Sequence, residues 1–133
     1  MSVGGRLVAI NHVELRSPPG IETELHWFYG ELIGLAPVPQ LADGAGSVPP
    51  MLRFRSEQLE LRVTMVDGTL VDPVPFRVVV EVPQLPLAAE MLQDRGYAFA
   101  WHRGMLGTDR SISVIDPGGH RVAIRRLWPW TLL

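Results

Sequence analysis

The chain has 133 residues, a formal net charge of −2, and 47% hydrophobic against 20% charged residues. That is the composition of one globular domain burying roughly two-thirds of its unfolded surface. The near-neutral balance gives no reason to expect nucleic acid, and no apolar run reaches the ~18 residues of a membrane span. Cysteine is absent and all 12 basic residues are arginine, which excludes disulfides, thiolate metal sites and cysteine nucleophiles. Compositional bias is the plain reading of the arginine usage. The functional reading is that planar guanidinium forks suit carboxylate or phosphate. Met1–Gly5 lacks the layout of a signal peptide, so a cytoplasmic protein is expected.

Leu7–Arg16 alternates like a strand, with Leu7, Ala9, Asn11, Val13 and Leu15 on one face. Val8, Ile10, His12, Glu14 and Arg16 share the other, which turns polar at His12 and so leaves a core for a wet space. Pro18-Pro19-Gly20 ends this strand because proline has no donor for the ladder. Glu22–Ile33 is predicted as a helix, with acids in its first turn, a stripe of Ile21, Leu25, Phe28 and Leu32, and Gly34 as the left-handed cap. His26 falls beside that stripe and is expected on the helix surface. Leu35–Gln40 reads as a proline-marked edge strand and Asp43–Pro50 as a loop. Met51–Arg55 and Leu59–Met65 read as two strands about a short turn. Val66–Pro75 is the linker-like stretch.

The order then starts again. Phe76–Val82 is predicted as a strand and Pro86–Arg95 as a helix stopped by Gly96. Ala98–His102 and Arg110–Ile115 are strands, Asp116-Pro117-Gly118-Gly119 is a tight turn, and His120–Leu127 is the last strand. Strand-helix-strand-strand-strand thus occurs twice, as modules about 6–66 and 76–128 around a linker at 67–75, within a single domain over 1–133. Each helix covers one face of its sheet, so the bare faces must cover each other or enclose a ligand space.

Several of these pieces resemble one known family. They are Asn11-His12-Val13-Glu14-Leu15, the helix end Phe28-Tyr29-x-x-Leu32-Ile33-Gly34-Leu35, Leu59-Glu60-Leu61, Asp94-Arg95-Gly96-Tyr97, and Asp116-Pro117-Gly118-Gly119. In this order they resemble the vicinal-oxygen-chelate superfamily, which includes glyoxalase I, extradiol dioxygenases, fosfomycin-resistance enzymes and bleomycin-resistance proteins. The resemblance implies an α+β fold of two βαβββ modules in tandem, forming a curved mixed sheet around a cavity. It also implies a divalent metal held from four strands. His12 and Glu60 match the first two ligand positions, whereas Arg77 and Ala123 occupy the other two. A guanidinium has only donors and stays protonated, and alanine has no ligand atom. Two residues do not hold a hard divalent ion well.

His12, Glu60, Arg77 and Ala123 are therefore read as vestigial metal positions, with Arg77 in the metal's place and paired to Glu60. No cofactor is predicted; a divalent metal, with His102 restoring a ligand, is the alternative. By strand parity Glu14, Arg16, Arg62, Glu81, Arg121 and Arg125 point the same way as His12, Glu60 and Arg77. That face is either a solvated, mutually paired surface or an arginine-lined pocket for a small anionic or aromatic molecule, with Met105 and Trp101 as apolar walls. The expected ligand-binding set is His12, Glu14, Arg16, Glu60, Arg62, Arg77 and Arg125. No base is placed to activate Ser111 or Ser113, and His120 is expected to be exposed.

Two functions follow. One is a metal-free small-molecule binder like the bleomycin-resistance branch. The other is a lyase, isomerase or dioxygenase using an atypical metal site, or His12 or Glu60 as general base. A purely structural or dimerisation module is a third possibility. A homodimer is expected, with Trp128, Pro129 and Trp130 as apolar surface. Neither nucleic acid nor membrane is expected as a partner.

Overall fold

The computed structural model describes residues 4–7, 13–39, 51–57, 59–66, 78–103 and 110–126. Strands β1 (Arg6–Leu7) and β2 (Val13–Ser17) come first, then helix α1 (Glu22–Leu25), which continues as a π-helix over His26–Ile33. Strands β3 (Ala36–Pro37), β4 (Met51–Ser56) and β5 (Leu59–Met65) complete the first half. The second half is β6 (Val78–Val82), α2 (Leu85–Asp94), β7 (Phe99–Arg103), β8 (Arg110–Ile115) and β9 (Arg121–Arg126). The second half's sheet runs β6-β9-β8-β7 and the first half's runs β2-β5-β4-β3. In each, the first strand lies parallel to the fourth and the other pairs are antiparallel. The repeat read from pattern is thus a repeat of topology, and the expected α+β class holds.

The predicted first strand serves both sheets. Arg6 and Leu7 pair with Glu81 and Val80 at the edge of the second sheet, while Val13–Ser17 pair with β5 in the first. The residues between, His12 among them, lie outside the described residues, as do 40–50, 67–77, 104–109 and 127–133. The loop at Asp43–Pro50, the linker, Arg77, Met105 and the Trp128-Pro129-Trp130 tail fall there too.

The first helix departs from expectation in kind. After one α turn it widens into a π-helix, a form that is rare and usually brief. The wider turn brings Trp27, Phe28, Tyr29, Leu32 and Ile33 all into the core, a broader buried face than the α-helical stripe predicted. Gly34 ends it at φ 94°, as its lack of a Cβ permits. Phe28 packs edge-on to Tyr29 and also meets Tyr97 of the second half, and Trp27 stacks on Tyr97 with ring centroids 5.4 Å apart. The helix-covered faces supply more of the core, including Leu61 and Val63 of β5, Val78 and Val80 of β6, Ile112 of β8, and Val122 and Ile124 of β9.

A buried polar cluster ties the halves together. The Tyr29 hydroxyl donates to Asp116 Oδ2 at 2.5 Å. Asp116 Oδ1 accepts the His120 backbone N–H at 2.8 Å and lies 3.1 Å from its Nδ1. Burial, reinforced by the carboxylate, pushes the Tyr29 phenol well above its ordinary range, so it stays a donor. His120 is buried, contrary to expectation, because its ring folds back on Asp116 across the turn. Gly118 sits so close to Ser17 of β2 that a Cβ would collide with the Ser17 hydroxyl.

Candidate functional site

Each sheet has a helix-covered face and an open one, and parity sorts the polar residues cleanly. On the first sheet Glu14 and Arg16 of β2, Arg53 and Arg55 of β4, and Glu60 and Arg62 of β5 share the open face. On the second sheet Arg6 of β1, Glu81 of β6, Ser111 and Ser113 of β8, and Arg121, Ala123 and Arg125 of β9 do so.

The open-face carboxylates are clamped by arginines. Glu60 accepts Arg53 Nε at 2.7 Å and Arg53 Nη2 at 3.0 Å, one oxygen each, and Arg62 Nε reaches Oε1 at 2.9 Å. The hydrogen bonds from Arg53 and then Arg62 outweigh desolvation and hold the Glu60 carboxyl at about 2. A group that acidic is a poor general base near neutral pH, which counts against Glu60 in that role. Arg62 also lies 3.7 Å from Glu14. Glu81 accepts Arg6 Nε and Nη2 at 3.0 and 2.7 Å, and Arg125 Nη2 reaches its other oxygen at 3.4 Å.

The expected set is therefore only partly brought together. Glu14, Glu60 and Arg62 form one chain of charges, and Arg53 extends it. Arg16 lies on the same face, and Arg125 belongs to the Glu81 clamp on the other sheet. His12 and Arg77 lie outside the described residues, and the Glu60 oxygens are engaged by Arg53 and Arg62. Arg53 and Arg6 were not singled out from sequence. Arg53 could have been found: it shares strand parity with Glu60 across a short hairpin, a diagonal cross-strand neighbour. Arg6 could not, because its partner lies 75 residues away.

Among the described residues, the donors do not fit a divalent cation. No group of three or more His, Asp or Glu side chains is placed to hold one. Glu60 already accepts from two guanidiniums, and Ala123 sits between Val79 and Ser113. His102, the candidate replacement ligand, is exposed, with Nε2 2.7 Å from Ser113 Oγ. This corrects the expectation that no base lies near Ser113: β7 and β8 place the two diagonally on the open face. Trp101 is corrected too. It points to the helix side, away from the open face, and cannot wall a pocket there.

Cavities among the described residues include two at the starts of the helices. One, of about 610 Å³, is lined by Glu22 and His26 of the first helix, Pro37–Pro39, Met51–Arg53 and Met65. The other, of about 600 Å³, lies at the start of α2 and includes Trp101, Arg110 and Arg126. His26, exposed as expected, meets Phe54 edge-on at 5.3 Å beside the first.

No family model and no curated protein matches the chain. Solved structures do. A glyoxalase family protein from Bacillus anthracis aligns with a TM-score of 0.70 at 20% identity, covering 91% of this chain and 96% of that one. A glyoxalase/dioxygenase from Nostoc punctiforme aligns at 0.66 and 21%, covering 89% and 90%. A mutant of the fosfomycin resistance protein FosX from Listeria monocytogenes, complexed with Mn(II) and 1S,2S-dihydroxypropylphosphonic acid, aligns at 0.72 and 13%, covering 94% and 96%. The repeated module order, the parallel first-to-fourth pairing and these alignments agree: the chain has the fold seen in glyoxalase/bleomycin resistance/dioxygenase superfamily proteins.

Proposed function

We propose that this protein binds a small anionic molecule, aromatic or not, on its open sheet face without a metal. The observation that carries the reading is charge. The open faces of the two sheets together carry seven described arginines (Arg6, Arg16, Arg53, Arg55, Arg62, Arg121 and Arg125) against three glutamates (Glu14, Glu60 and Glu81), a balance of +4 in a chain of net −2. Among the described residues Arg16, Arg55 and Arg121 have no ion-pair partner, so guanidiniums are left for a ligand. His12 and Arg77 of the expected set are proposed to belong to the same site. A homodimer in the cytoplasm belongs to the same proposal, and sedimentation as a monomer would count against the dimer.

The test is metal analysis of the purified protein, followed by thermal melting in low salt with inorganic phosphate or benzoate. The expected result is no stoichiometric divalent metal and a saturating rise in melting temperature that Arg16→Gln and Arg62→Gln diminish. A stoichiometric metal, or a melting temperature indifferent to every anion, would overturn it.

A further inference from the structure

The cavity of about 600 Å³ at the start of α2 lies on the opposite side of the second sheet from the open face. Three neighbouring strands each send one side chain into it: Trp101 from β7, Arg110 from β8 and Arg126 from β9. The register with Ser111 opposite Arg125 sets Arg110 opposite Arg126, and the register with Trp101 opposite Ile112 sets the indole diagonal to Arg110. Two like charges directly across a strand pair repel. Neither guanidinium has an ion-pair partner among the described residues, although Glu90 lines the same cavity.

The helix adds to the positive field. Gln84 makes no side-chain cap, and the first turn of α2 holds no acid to offset the positive end of its dipole. Trp101 is 46% exposed, one of two large apolar side chains left open among the described residues. With Pro86 and Leu87 it offers a flat apolar wall beside the two cations. A ring laid on the indole would place an acidic substituent between two guanidiniums that repel each other until it arrives.

We propose that this cavity is a second binding site, separate from the open face, for an aromatic acid whose phosphate or carboxylate bridges Arg110 and Arg126 while its ring rests on Trp101. The probe is phenyl phosphate, titrated calorimetrically into the full chain carrying Arg16→Gln and Arg62→Gln, so that binding at the open face is weakened. The expected result is saturable binding, tighter than that of inorganic phosphate. Adding Arg110→Gln and Arg126→Gln should weaken it at least tenfold, and Trp101→Ala several-fold, with Trp101→Phe retaining most of it. Unchanged melting temperatures would show that these variants fold. Absence of binding in this background would overturn the site, as would binding indifferent to Arg110 and Arg126. Binding seen only with Arg16 and Arg62 intact would support the open-face reading while removing this one.

Discussion

In the first module the helix opens with Glu22 and Glu24, and the Glu22 carboxylate accepts the backbone N–H of Gly20 at 3.1 Å. Its own N–H and that of Gly20 hold the Glu22 carboxyl below the ordinary range. In the second module the helix opens with Leu85 and Pro86, without an acid and without a cap. Each module has a cavity of about 600 Å³ against the start of its helix; the first contains Glu22 and the second Arg110 and Arg126. Counting the other charged lining residues, Arg53 in the first and Glu90 in the second, one backbone frame thus carries a balanced cavity in one module and a net positive one in the other. The topology fixes where a cavity forms, whereas its chemistry depends on a few side chains that the frame leaves free to differ.

The modules also divide the core unequally, and the largest expected effect exploits this. Phe28 sits within the aromatic group Trp27, Tyr29 and Tyr97, whereas Leu92 of α2 is a fully buried aliphatic. Phe28→Ala should cost about 3–5 kcal/mol and clearly more than Leu92→Ala, both measured by chemical denaturation. Equal losses would mean that the first module is not the dominant packing unit.

Next comes the cluster that joins the halves. Tyr29→Phe removes the donor to buried Asp116 and should cost about 1–3 kcal/mol, since the carboxylate is left short of a partner. A loss below about 0.5 kcal/mol, at the low end for a single hydrogen bond, would show that His120 alone satisfies Asp116.

Third is the Glu60 clamp. Its carboxyl is lowered from 4.5 to about 2 in the folded state, so its contribution is present above pH 4.5 and is lost as pH falls toward 2. Melting temperature followed down this window should fall, and Glu60→Gln should flatten the fall while losing stability at neutral pH. A wild-type curve that Glu60→Gln leaves unaltered would remove the clamp from the acid response.

The smallest effect addresses the helix ends directly. Gln84→Asp should give α2 the acidic start that α1 already has and stabilise the protein by about 0.5–1 kcal/mol. No gain would mean that the α2 terminus is already satisfied.

Much of this was legible in the sequence, and the failures have physical causes. Alternation placed Leu59, Leu61, Val63 and Met65 against Glu60, Arg62 and Thr64, because one-sided burial imposes a period of two. The glycine at 34 announced the helix end through its need for positive φ. Widening into a π-helix leaves no such signature, so the breadth of the buried face around Tyr29 was missed. His120 looked exposed because its partner Tyr29 hydroxyl, reached through Asp116, lies in the other module, 87 residues from that aspartate. Charge placement showed the same limit. Parity put Glu60 and Arg62 on one face, but parity does not decide which of several arginines a carboxylate chooses, and Arg53 was overlooked.

The docking of Arg6–Leu7 on β6 has a consequence for assembly. The Arg6–Glu81 clamp closes a loop of 75 residues, and the Leu7 N–H donates at 2.8 Å to Ser56 Oγ of the first module. The second half's sheet is thus extended by a strand from the first half. Such long-range pairing is slow to form, because loop-closure entropy is lost before the contact rewards it. The order of synthesis therefore cannot be the order of completion: a segment near the amino end must wait, exposed, until the sheet it belongs to has been made.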